Sequence, residues 1–209
     1  MRDFGFTPAE MKVLRRLTTP AKIQDFLNAM PFNFELDGDT CKSPRHVLAE
    51  RNAQCMEGAM FAAAALRLLG HPPLVVDLEA SKGDYDHVIA VFKVRGRWGA
   101  ISKTNHGVLR YREPVYASIR ELAMSYFHEY FLKNGRKTMR TFSRPVNLSR
   151  FDGKNWMTSE EPVWFVPEHL CHIPHTQILK TKDVAALRKA DDVEIRAGEI
   201  LEWRKPARR

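Results

Sequence analysis

The chain has 209 residues, 44% of them hydrophobic and 28% charged, with a formal net charge of +8. Those figures are ordinary for a globular protein and leave out the disordered, collagenous and disulfide-scaffold classes. No apolar run approaches the roughly 18 residues of a membrane span, and the basic excess permits attraction to anionic partners without specifying one.

Helix signals open the chain. Thr7-Pro8-Ala9-Glu10 combines a cap, a first-turn proline and an N3 glutamate, the pattern of a capping box. Met11, Leu14 and Leu17 follow at helical spacing. Thr19-Pro20 starts a second helix with Ile23, Phe26, Leu27 and Met30 on one face, and Pro31 ends it. Ser43-Pro44 caps a third. The fourth helix runs from Cys55 through an alanine-rich stretch to Gly70, with Pro72 just beyond.

Strands come next. Leu74 to Leu78 is the first, His87 to Val94 the second, and Gly96 turns the chain into a third over Arg97 to Ser102. The polar stretch from Lys103 to Pro114 is expected to line a cleft beside His87. An amphipathic helix is predicted over Tyr116 to Phe131. Residues 135–175 read as short strands and loops, 182–190 as a short helix, and 193–204 as a terminal strand pair or irregular extension. The chemistry-bearing residues are Cys55 and His87. A thiol in the first helical turn faces free N–H groups and the positive end of the helix dipole, which favours thiolate. An imidazole at the start of a strand supplies the base of a Cys/His nucleophile pair. The plainer reading of each is a small buried hydrophobe and a polar strand end.

Several features together extend those two residues. They are Ser43-Pro44-Arg45-His46-Val47-Leu48-Ala49-Glu50-Arg51, then Gln54-Cys55, the Leu66-Arg67-Leu68-Leu69-Gly70 ending, the strand opening on His87, and Trp98-Gly99-Ala100-Ile101-Ser102. Over about residues 43–104 this resembles the core of the transglutaminase-like superfamily. The resemblance implies an α+β, papain-like fold in which a helical lobe with the Cys-bearing helix packs on an antiparallel sheet. It implies Cys55 as nucleophile and His87 as its base, holding it as thiolate. Gln54 and Trp98 would lie at the oxyanion and substrate-positioning places. Three positions depart from the family: Ala53 replaces a glycine, Met56 a tryptophan, and Ser102 the aspartate that orients the histidine. A serine hydroxyl orients a ring without supplying charge, and Asn105 offers the amide that serves in Cys-His-Asn sites. Asp86, next to His87 on a strand, would point to the opposite face.

The expected architecture is a single domain over 1–209, with N-terminal helices over 1–42 and an irregular C-terminal extension over 135–209 wrapping the core. The expected activity is thiol-dependent acyl transfer, hydrolysing a peptide or carboxamide bond of a peptide or protein substrate. The alternative is a degenerate domain of the same family that binds a peptide or protein. No phosphate loop, dinucleotide fingerprint or zinc-protease motif is present, so no cofactor is expected. His169, Cys171, His172 and His175 are metal-capable side chains at no known zinc spacing. The basic residues are scattered, with no nucleic-acid-binding motif. Three cysteines, and no leader pattern at the N-terminus, predict free thiols and a cytoplasmic location. Cys41, in a polar turn, is read as an exposed or half-buried thiol without a role.

Overall fold

Capping chemistry sets the first four helices of the computed structural model, which describes residues 3–205. Helix α1 (Pro8–Leu14) starts at Thr7, with Glu10 closing the capping box. Thr19 caps α2 (Pro20–Asn28) and Ser43 caps α3 (Pro44–Glu50). Gln54 caps α4 (Cys55–Leu68), with Glu57 completing a second box. Almost all of α4 is buried, because its alanines and single Gly58 let it lie close against neighbours on several sides. An added Cβ on Gly58 would stand 2.4 Å from Lys103 Cβ.

The strands are β1 (Leu74–Ala80), β2 (His87–Val94), β3 (Arg97–Ile101), β4 (Arg112–Tyr116), β5 (Met139–Ser143), β6 (Val146–Asn147) and β7 (His175–Gln177). They form one antiparallel sheet in the order β4-β3-β2-β1-β5-β7, with β6 also paired to β1. Side-chain alternation divides the sheet into two faces. Val75, Val88, Ala90, Phe92 and Ile101 join the core beneath α1–α4. Val76, Leu78, Ile89, Val91 and Ala100 pack with α5 (Ile119–Phe127) on the other side. Burial on both faces explains the near-continuous apolar run of β2. The molecule is therefore α+β, built on an antiparallel sheet.

Some expectations need correction. β4 was not expected: it begins in the polar stretch assigned to the cleft and ends at the residue assigned to the start of the next helix; its exposure alternates, and Pro114 is tolerated because the strand lies on the sheet edge. The predicted helix over 116–131 shortens to α5, since Tyr116 ends β4 and Ser118 caps the helix. The stretch from 135 is more regular than an irregular wrapping. It contributes β5, β6 and β7, a 3-10 helix (Leu148–Lys154) and α6 (Phe165–His172). The helix expected over 182–190 is a single turn, α7 (Thr181–Val184). Residues 193–204, expected as strands or irregular chain, begin inside α8 (Asp192–Gly198), which Asp191 and Glu194 cap as Thr7 and Glu10 cap α1. Cys41, expected exposed or half-buried, is fully buried, and burial pushes its thiol up to about 12. All three cysteines are free. No helix among the described residues is long and apolar enough to cross a membrane.

Candidate active site

Cys55 is the first residue of α4, half-buried, with its N–H among the four amides that no helical carbonyl can accept. The helix start is held from outside. Buried Glu57 accepts from Gln54 N (3.0 Å), Thr40 Oγ1 (2.7 Å), Lys42 N (3.1 Å) and Asn33 Nδ2 (3.1 Å). A buried carboxylate with that many donors is satisfied without a counter-charge. Gln54 Oε1 accepts from Met56 N at 2.6 Å and its amide donates to Thr40 O at 3.4 Å. The Gln54 side chain is thus spent on capping.

The N-terminus of α4 occupies the lane that β3 leaves. Ala90 pairs with Ile101, where β3 ends, so Val88 has no strand partner on that side. The Val88 N–H, in the sheet plane, points instead to the Cys55 sulfur, as does Met56 N–H. Both favour thiolate, but burial and the nearby Asp77 and Glu35 carboxylates outweigh them and push the thiol up to about 11.

His87 opens β2 and is buried. Its Nε2 lies 2.7 Å from Ser102 Oγ, and that hydroxyl donates to Leu109 O at 2.5 Å. Having spent its only proton there, Ser102 accepts from His87, so Nε2 carries the hydrogen and Nδ1 keeps the lone pair. Ser102 is itself clamped: Gln24 of α2 accepts from its N–H (2.9 Å) and donates to its carbonyl (2.8 Å). Burial first, then the field of His106, lowers the imidazole to about 4. Thiol and imidazole are therefore both neutral at rest, against the thiolate expected from the helix start. Among the described residues no hydrogen bond joins the Cys55 thiol to the His87 ring.

No protein-family model matches this chain, and no curated protein aligns with it. The geometry stands alone in saying which expected residues meet. Cys55, His87 and Ser102 are brought to one end of the sheet. The Asn105 side chain is engaged elsewhere: its Nδ2 donates to Trp203 O (3.0 Å) and its Oδ1 accepts from Trp203 N (2.9 Å). Trp98 lies at the hairpin end of β3, paired with Lys93, whose ammonium sits 5.0 Å from its ring. It stands four positions before Ser102, about 13 Å along a strand, at the opposite end of β3 from the residue that bonds His87. His169, Cys171, His172 and His175 diverge. His169 meets Arg150, His172 bonds Glu168 O, and His175 bonds Asp77. Among the described residues no group of three His, Cys, Asp or Glu side chains is placed to hold a metal.

Two residues missed in the sequence stand out. Gln24 gave no signal beyond being a polar residue inside an apolar helix face. Asp77 interrupts the otherwise apolar Leu74-Val75-Val76-Asp77-Leu78, which was the available cue. It is buried, and burial with Asp86 nearby raises its carboxyl to about 6.

Proposed function

We propose that this chain is a thiol-dependent acyl-transfer enzyme with a papain-like core of the transglutaminase-like kind, acting on a peptide or carboxamide bond. The observation that carries the reading is the Ser102–His87 bond. It fixes the imidazole with Nδ1 unprotonated at the end of β2, where the Cys55 helix packs. A buried histidine held in one tautomer, here by the residue that follows β3, is what a proton acceptor requires.

The chemistry follows from the neutral pair. Cys55 Sγ attacks the carbonyl carbon while its proton passes to His87 Nδ1. The oxyanion develops against the Cys55 N–H at the helix N-terminus. The imidazolium then protonates the leaving amine as the C–N bond breaks, leaving an S-acyl Cys55 and a neutral His87. Water completes the cycle. With no preformed thiolate, proton transfer accompanies attack, and the hydroxyl of Ser102 lends orientation but no charge.

The alternative, a binding domain with little catalysis, draws on one observation: burial holds the thiol and the imidazole far apart in acidity, and no carboxylate joins them. Mass-spectrometric mapping of acetylation by p-nitrophenyl acetate at pH 7.5 decides between them. The enzyme reading expects acetyl on Cys55, formed about 10²-fold or more slowly in His87→Ala. Acetylation of exposed Cys171 alone, or at Cys55 with no dependence on His87, favours the binding domain.

A further inference from the structure

A second acid–base pair lies beside the thiol. Asp77 of β1 sits directly opposite Val88 of β2, the residue whose N–H supports the Cys55 sulfur. Paired residues share a sheet face with Cα atoms about 5 Å apart. Alternation with Val75 puts the Asp77 side chain on the α4 side. His87 follows the opposite alternation, with Ile89 and Val91. The thiol, level with the sheet plane, thus has His87 toward one face and Asp77 toward the other.

Asp77 is only 5% exposed. Its Oδ2 lies 3.1 Å from His175 Nε2, while its Oδ1 is buried without a hydrogen-bond partner. His175 Nδ1 donates to Ile173 O at 2.9 Å, which a carbonyl can only accept. The contact between Nε2 and Oδ2 must then hold one shared proton, either as imidazolium with carboxylate or as imidazole with carboxylic acid. A buried carboxylate oxygen without a donor is costly. Here the carboxylate lies close enough for its charge to act on the Cys55 thiol.

We infer that Asp77, oriented by His175, is the general base of the second half-reaction, the hydrolysis of S-acyl Cys55; this rests on the function proposed above. Water attacks the thioester carbonyl and gives its proton to Asp77 Oδ1. The tetrahedral adduct expels the Cys55 sulfur, the C–S bond breaks, and Asp77 returns the proton to Sγ. A carboxylic acid and a free thiol result, and no other reactant is consumed. Assigning this step to His87 as well would leave Asp77 Oδ1, buried without a donor on the α4 side of the sheet, with no role. The charged and titratable groups facing Asp77 are His175 on β7, Glu79 on β1, Asp86 before β2, Cys55 on α4, Cys171 on α6 and Tyr130 after α5.

The test follows S-acetyl Cys55 by intact-protein mass spectrometry after a pulse of p-nitrophenyl acetate. In Asp77→Asn, Cys55 should still acetylate, while deacetylation slows about 10²-fold or more. In Asp77→Ala, added formate should restore part of the lost rate, which a merely structural role would not allow. Should both variants fail to fold, the wild type decides. Its deacetylation rate should rise as the pH rises through about 6 and level off above it. Deacetylation unchanged in Asp77→Asn, or climbing with hydroxide in the wild type without levelling, overturns the role of Asp77 and leaves the acylation chemistry standing. No acetylation of Cys55 in the wild type overturns both.

Discussion

Ser102 shows how one residue sets the chemistry of its neighbours. Its hydroxyl faces a carbonyl that can only accept, so it presents an acceptor to His87 and locks the ring's tautomer. Ser102→Ala leaves both the His87 Nε2–H and Leu109 O without partners, costing about 1–3 kcal/mol for the buried groups. It should also slow Cys55 acetylation about 10-fold or more, because the ring can then take the wrong tautomer; thermal melts and acetylation rates check the two effects separately. Ser102→Asp, which would recreate the carboxylate of the resembled family, sets a negative charge against the Leu109 carbonyl and should destabilise more than the alanine. Cys55 and His87 were legible as candidates because a helix start and a strand start are written in local sequence, whereas Ser102 was reached only through the resemblance. The charge states of Cys55 and His87 were not legible. Burial, a three-dimensional property, outweighs the helix N-terminus at Cys55 and depresses His87. Asn105 was misread for a related reason: its partner, Trp203, is 98 residues away.

Among the elements, α4 depends on close approach. Gly58 lies against Lys103, whose buried ammonium donates to Leu27 O (2.9 Å) and Met30 O (2.6 Å) at the end of α2. An exposed helical glycine changed to alanine gains up to about 1 kcal/mol. Gly58→Ala should do the opposite, losing about 1–3 kcal/mol by overpacking, and should lower Cys55 acetylation as the helix start moves off β2. Denaturant melts read the sign. Helices with caps in sequence (Thr7, Thr19, Ser43) were legible at their first residues. Asp191 carries the same signature, and its helix was missed because the polar surface around it has no apolar stripe. β4 and β7 escaped notice because Arg112-Glu113-Pro114 and His175-Thr176-Gln177 carry no apolar face to read; what makes them strands is the neighbour they pair with.

Across the whole molecule, the end of the described chain reaches back to the site. Gly107 N donates to Ile200 O (2.8 Å), Glu202 N to Asn105 O (2.8 Å), and Arg110 pairs with Glu202 (2.8 Å). This strap holds the 103–110 loop, and that loop supplies Leu109 O to Ser102. Truncation after Ala190 should speed amide exchange across 105–110 and slow Cys55 acetylation, while the β1–β2–β3 sheet keeps its protection. Slow exchange at Gly107 in the truncated chain would show that the loop holds itself. The α+β class was expected from the resemblance over residues 43–104, and the antiparallel sheet with its helices agrees with that coarse class; this closure of the site by residues 200–202 was not legible.

The central claim is that neutral His87 takes the proton of a neutral Cys55 during attack. The measurement that meets it most directly is the pH dependence of Cys55 acetylation in wild type and His87→Ala. His87 acts only when unprotonated, so the wild-type rate should rise as the pH rises through about 4. It should then stay level through neutrality until the thiol itself ionises toward about 11. Without His87 the rate should be far lower at neutral pH and climb about tenfold per pH unit toward that same ionisation. A wild-type profile that climbs in that way from pH 6 upward and overlies the variant would contradict the account and leave Cys55 an ordinary buried thiol.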